Sequence, residues 1–320
     1  MKQYRYPLLS ALLWLAPLVA RSQQLPQRTP FAGMSFIWNP AMTGYEDFWE
    51  AGAGYRQEWL GFEQAPRTGS VYGQYPFEKQ NASLGGAFLF DEVMPVRSST
   101  LALAYAYKIG PKGRGRRRNA KAGQLSLGLM ATASHILIDA LDLVANQPGD
   151  PLQPTGERAK LSPNVGAGFF FRSRLGGAHK RSFFYAGAAA NQLIPSDLVF
   201  RQTTPTPNFR RAFHGNATIG YRSAGEKLIV EPSAWINFAG RNIAESQFNL
   251  LIERPEAFWA GLTYSFTQTV AIQLGYNLPG PEAGANIRLG VLGSFNMGSF
   301  GPARGLGFEV MAAYRVGQGR

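Results

Sequence analysis

Apolar side chains recur at every second position along much of this chain, and that period of two is the feature that most limits its fold. Leu101, Leu103, Tyr105, Tyr107 and Ile109 alternate with Ala102, Ala104, Ala106 and Lys108. The pattern returns in Leu125, Leu127 and Leu129 against Gln124, Ser126, Gly128 and Met130, and in Ile272, Leu274 and Tyr276 against Ala271, Gln273, Gly275 and Asn277. A helix would mix these sets, whereas an extended strand sends them to opposite faces. A greasy face on nearly every strand, opposite a small or charged one, suits a sheet closed in lipid, where each backbone N–H and C=O must be satisfied by the sheet itself. A secreted β-sandwich would share the glycine and aromatic content, but would bury its apolar faces against a second sheet.

Residues 1–22 differ from the rest. Lys2 and Arg5 precede an apolar run from Leu8 to Val19, and Ala20-Arg21-Ser22 offers a small-x-small cleavage site, so the segment is expected to be a signal peptide. It is too short for a stable membrane helix, and Pro7 and Pro17 weaken it further. Removing it takes Lys2, Arg5 and Arg21 from a chain whose formal net charge is +12. There is no cysteine, which excludes disulfides and thiolate metal sites.

Fourteen strands are expected, near residues 49–58, 67–76, 81–91, 98–109, 123–135, 161–173, 182–191, 211–223, 228–239, 246–252, 257–265, 269–277, 286–296 and 305–316. An even count fits a bacterial barrel. With the N-terminus in the periplasm, odd-numbered connections face outward, and these include the two longest, 136–160 and 192–210. The organisation expected is thus a signal peptide (1–22), a pre-barrel segment (23–48), an all-β transmembrane antiparallel barrel (49–316) and a short tail (317–320). The pre-barrel segment, rich in aromatic residues and proline, is expected to plug or brace the periplasmic mouth.

The first hairpin shows the unit in full. Trp49, Ala51, Ala53, Tyr55, Gln57 and Trp59 share one face, and Glu50, Gly52, Gly54, Arg56 and Glu58 the other. NPAMTG at 39–44, followed by YRQEWLGFEQAPRTGSVYG ending at Gly73, resembles the opening box of the PorP/SprF family, outer-membrane proteins associated with the type IX secretion and gliding systems of Bacteroidetes. SPNVGAGFFF (162–171), GYRSAGEKLIVEPSAWINF (220–238), FWAGLTYSF (258–266) and FEVMAAYRV (308–316) extend the likeness over nearly the whole mature chain. The resemblance implies a non-enzymatic barrel that supports secretion or surface anchoring of a partner such as a large adhesin. Other type IX secretion components, or a periplasmic or peptidoglycan-associated protein, are further partners consistent with it. The rival reading is an outer-membrane channel or hydrophobic-substrate transporter.

Candidate sites follow from position. The tip of the first hairpin faces outward by parity, with Trp59 and Phe62 as aromatic anchors, Gly61 allowing close backbone approach, and Pro66 closing the turn. The bland alternative is an interfacial tryptophan and a turn glycine. Glu50, Arg56, Glu58, Lys108, Arg172, Arg222, Glu231, Glu309 and Arg315 point away from lipid, where an exposed Arg or Lys at midplane costs about 2–4 kcal/mol. Their mixed signs suggest a cross-linked interior more than an ion-selective pore. The connection 110–122 concentrates Lys112, Arg114, Arg116, Arg117, Arg118 and Lys121. Without interleaved aromatics it reads as a solvated periplasmic loop or a docking point for an acidic partner, not as a nucleic-acid site. Asp139, Asp142 and Asp150 lack a calcium-loop spacing and are taken as loop acids, with a short helix near 139–145. His135, His179 and His214 form no metal or catalytic motif, and the glycine pairs Gly52/Gly54 and Gly166/Gly168 read as strand positions that admit a neighbouring side chain or a bend, so no enzyme and no cofactor is expected.

Strand parity predicts that single cysteines placed in 192–210 react with an impermeant thiol reagent on whole cells, while ones in 113–119 do not. Reaction at both would mean that the strand count between them is wrong by one.

Overall fold

The computed structural model describes residues 33–46, 48–77, 79–110, 123–139, 157–174, 182–195, 197–198, 209–225, 227–240, 242–282, 284–298 and 305–317. The signal-peptide segment, the whole basic set Lys112, Arg114, Arg116, Arg117, Arg118 and Lys121, and Asp142, Asp150 and His179 lie outside the described residues.

Fourteen strands close into an antiparallel barrel. In chain order they are β1 (Phe48–Gln57), β2 (Arg67–Phe77), β3 (Ala82–Val93), β4 (Val96–Ile109), β5 (Gln124–Asp139), β6 (Glu157–Arg174) and β7 (Phe183–Asn191). After a separate two-stranded ribbon of β8 (Asp197–Leu198) and β9 (Phe209–Arg210) come β10 (His214–Ala224), β11 (Ile229–Ala239), β12 (Asn242–Glu253) and β13 (Phe258–Ser265). The wall ends with β14 (Thr269–Pro279), β15 (Ala285–Asn296) and β16 (Gly307–Gly317). Neighbours in sequence are neighbours in the sheet, and β1 closes on β16 from Phe48↔Gly317 to Gln57↔Phe308. The rim where β1 begins is called here the entry rim, and the opposite one the far rim.

The period of two becomes the two faces of the wall. On β4, Leu101, Leu103, Tyr105, Tyr107 and Ile109 are exposed outward while Ala102, Ala104, Ala106 and Lys108 are buried. On β14, Ile272, Leu274 and Tyr276 face out, against buried Ala271, Gln273 and Asn277. Rings gather at both ends of the outer face. Trp49 meets Tyr314 at 5.3 Å and Tyr75 meets Phe77 at 4.9 Å near the entry rim; Tyr55 meets Phe308 at 6.1 Å and Phe248 meets Phe266 at 5.6 Å toward the far rim. Amphipathic rings at both ends of an apolar band are what the two interfaces of a bilayer select.

Some strand ends differ from expectation. β5 and β6 run on together to Asp139↔Glu157, so the connection expected at 136–160 is shorter and Asp139 belongs to a strand, not to a loop helix. The apolar alternation fades beyond His135, yet the backbone ladder continues, because pairing needs no apolar face. β12 begins at Asn242 and not near 246; its pairing with β11 shifts between Asn237 and Phe238, an irregularity that disguises the period. β10 begins at His214, leaving Arg211 outside the strand.

Leu103 and Leu274 are 59% and 56% exposed on the outer face. Leu103→Arg or Leu274→Arg is expected to disfavour membrane insertion by about 2–4 kcal/mol, read as loss of the heat-modifiable folded band, whereas Leu103→Phe should leave that band unchanged.

Candidate functional site: a lumenal plug and a charged chamber

Residues 33–46 fold inward and fill part of the lumen. Their shape is set locally by NPAMTG. The Asn39 side chain accepts the Ala41 N–H at 3.0 Å and caps a 3₁₀ turn (Pro40–Met42), and Pro40 occupies its first position, where no N–H is required. Thr43 Oγ1 donates back to the Pro40 carbonyl at 2.7 Å, and Gly44, at φ +60°, reverses the chain at a conformation that favours glycine. Before this turn a single helical turn, α1 (Ser35–Trp38), buries Phe36 completely.

The wall is shaped to receive this segment. A Cβ on Gly128 of β5 would lie 2.1 Å from the Ala41 nitrogen, and one on Gly168 of β6 2.4 Å from the Asn39 side-chain oxygen. Only glycine lets the plug backbone lie this close to the sheet. Phe36 packs among Tyr72, Ala87, Ala102, Ala104 and Met130; Met42 packs with Phe170, Tyr185 and Trp235. Polar contacts complete the seat. Asn39 Nδ2 donates to the Phe169 carbonyl at 3.0 Å, the Trp38 carbonyl accepts from the Asn191 amide at 2.7 Å and from the Asn216 amide, and Lys108 Nζ donates to the Gly44 carbonyl. Arg172 donates to the Tyr45 carbonyl at 2.7 Å, and Gln74 to that of Gly33 at 3.2 Å.

Beside the plug lies a small cavity lined by Tyr45, Glu46, Glu50, Arg222, Glu253 and Arg288 among others. Its charges are paired across the wall. Arg315 reaches Glu50 at 3.1 Å, and Glu50 also accepts from Tyr72 at 2.8 Å and Gln74 at 3.0 Å. Arg222 reaches Glu231 at 2.6 Å and plug residue Glu46 at 3.0 Å, while Tyr185 donates to Glu231 at 2.8 Å. Arg288 pairs with Glu253 at 2.9 Å and stacks 4.2 Å from the Trp259 ring. Burial, with Glu46 beside it, holds the Tyr45 phenol well above its ordinary value, so it remains a donor to Glu46 at 3.3 Å. Such an arrangement cross-links strands; no one sign of charge is gathered for an ion to follow.

The sequence-level candidates fall in three places. Arg56, Glu58, Arg222, Glu231, Glu309 and Arg315 all lie on the inner side, but in separate groups: Arg56 joins Glu58 at 2.8 Å and Glu309 at 3.5 Å toward the far rim, and the others serve the chamber. The hairpin tip is tighter than its composition suggests. Pro66 is buried and its carbonyl accepts the Glu58 N–H, Trp59 is half-buried at φ +51°, and Phe62 is 46% exposed. Gly61, at φ +94°, has open space where a side chain would begin. Arg288, Glu253 and Glu46, central to the chamber, were not among the inward charges read from the pattern. Arg288 and Glu253 carry the same alternation signal as the residues that were found; Glu46 precedes the strands and carries none. Among the described residues no group of three or more His, Cys, Asp or Glu is placed to hold a metal ion.

Against known families, the model of the type IX secretion system membrane protein PorP/SprF matches residues 20–314. The chain belongs to the PorP/SprF family. A search of curated proteins found no match. Similar solved structures include the Pseudomonas putida toluene transporter TodX, at 10% identity and TM-score 0.48, covering 88% of this chain and 93% of that one. Acinetobacter baumannii Omp33 matches at 9% identity and TM-score 0.41, over 84% and 97% of the two chains. The translocator domain of the Neisseria meningitidis autotransporter NalP matches at 10% and 0.39, over 85% and 89%. This PorP/SprF protein is thus a membrane barrel of a secretion-system family, and its fold and family support an outer-membrane location.

Because Glu50 is buried at 1% exposure, Arg315→Met is expected to destabilise the barrel by about 3–5 kcal/mol by stranding a carboxylate. Arg315→Met combined with Glu50→Gln should recover most of that loss, measured as the urea midpoint of the folded band in detergent.

Proposed function

We propose that this barrel is a non-enzymatic component of type IX secretion or gliding that supports secretion or surface anchoring of a partner protein, such as a large adhesin. The observation that carries the reading, within a secretion-system family, is the occupied lumen: residues 33–46 fill it on one side and mixed-sign ion pairs link its walls on the other. A free channel or hydrophobic-substrate transporter would be served by a continuous lumen, and part of this one is taken up by the chain itself, with Phe36 and Asn39 fully buried. The contact surface for the partner is then the far rim, where the first hairpin presents Phe62 to solvent with Trp59 half-buried beneath it. The Leu60 N–H donates to the carbonyl of Leu306, the residue before β16, at 2.8 Å, which ties this tip to the start of the last strand. Other secretion components, among them an acidic periplasmic or peptidoglycan-associated protein, would meet the opposite rim.

The test is the double variant Trp59→Ala/Phe62→Ala. Folded barrel abundance, read by heat-modifiable migration, is expected to stay near normal, while surface display of the partner, read by protease shaving of intact cells, falls several-fold. Normal display with a folded barrel would exclude the hairpin tip as the partner's contact.

A further inference from the structure

We propose that residues 33–46 are a removable plug, which leaves and re-enters the lumen through the entry rim while the barrel stays folded. This inference does not depend on the secretion role.

Three observations carry it. The first is the path. Gly33 is held by Gln74 near the end of β2, Gly44 by Lys108 near the end of β4, and Glu46 by Arg222 near the end of β10, all at the entry rim. The deepest point is Trp38, whose carbonyl meets Asn191 and Asn216. The segment therefore dips in and comes back out at one rim, so it can withdraw without threading anything through the wall. Only Asp47 separates it from β1.

The second is charge. Removing one member of a buried ion pair normally strands the other, and this would lock the plug in place. Here each chamber arginine has a carboxylate on the wall itself: Arg222 has Glu231, Arg315 has Glu50, and Arg288 has Glu253. Glu46 is a second partner for Arg222, and it would leave with the plug toward water. Arg172, which loses the Tyr45 carbonyl, still donates to Gln124 at 2.6 Å. Each chamber arginine therefore keeps a wall carboxylate with the plug absent.

The third is the nature of the seat. The plug lies on glycines and alanines of the wall and adds no strand to the sheet; every barrel strand is paired on both sides without it. What binds it is hydrogen bonds with single side chains of the wall, among them Gln74 with Gly33 and Gly44, the ion pair of Glu46, and the apolar contacts of Met34, Phe36, Ala41, Met42 and Tyr45. Those are enough to populate the closed state and few enough for local release without global unfolding.

The chain has no native cysteine, so a single introduced one is a clean reporter. Thr43 in the plug and Ser83 in the wall beneath Gly44 are both fully buried, and Thr43→Cys and Ser83→Cys are close in size. In full-length protein reconstituted in liposomes, both are expected to react slowly with a water-soluble maleimide while the folded band persists. Glu46→Gln, or Gly128→Ala, should speed both reactions by the same factor, roughly tenfold for the loss of one charge-assisted contact. Should Gly128→Ala not fold, Glu46→Gln carries the comparison alone. Reaction confined to the unfolded fraction in every background would overturn the proposal. So would acceleration at Thr43→Cys with Ser83→Cys unchanged, since that is local loosening and not departure of the plug.

Discussion

Closure of β1 on β16 is the constraint on which everything else in this molecule depends. In hydrocarbon an open sheet edge would leave a row of N–H and C=O groups with no partner, each costing several kcal/mol. Pairing the first strand with the last, from Phe48↔Gly317 to Gln57↔Phe308, removes both edges at once. Once the sheet is closed, alternate side chains have only two destinations. Most leucines and many aromatic residues take the lipid side, and small, polar and charged residues go to the interior, joined there by the rings Tyr72, Phe170, Tyr185 and Trp235 that pack on the plug and around it. The fold and the chemistry of its lumen are two consequences of the same ladder.

The interior must then satisfy what has been sent there. Buried guanidinium and carboxylate groups are tolerable only when paired and hydrogen-bonded. Glu50 is the clearest case, with Arg315 on β16 and Tyr72 and Gln74 on β2 converging on its two oxygens. Glu50–Arg315 and Arg222–Glu231 link neighbouring strands along the inner face, while the apolar plug residues Phe36 and Met42 pack elsewhere in the lumen. Plug and chamber divide the lumen between them: packing on the β3–β7 side, electrostatics on the β10–β16 side.

Much of the wall was legible in the sequence because lipid enforces the period of two strictly. The fourteen strands and their outward faces, such as Leu101 to Ile109, could be read directly. The far-rim ends of β5 and β6 could not, since beyond His135 the residues Ile136, Leu137 and Ile138 no longer alternate and only backbone bonding continues the ladder. The direction of Arg222, Glu231 and Arg315 was legible for the same reason of alternation. Their partners were not: Glu50 and Arg315 are 265 residues apart and meet only because the barrel closes. Gly166 and Gly168 read correctly as places that admit a neighbouring group, but nothing local said that the neighbour of Gly168 is Asn39.

NPAMTG shows where the division lies. From sequence it was part of a family box, and its asparagine, proline and glycine are the residues that cap, start and end a short turn. That much is determined by local chemistry, because a side-chain cap, a fixed φ and a left-handed glycine act over five or six residues. That the turn sits inside the barrel against Gly128 and Gly168, and that Glu46 shares Arg222 with Glu231, was decided only by the tertiary structure. Shape complementarity and ion pairing across a lumen are properties of a closed surface, and no period along the chain encodes them.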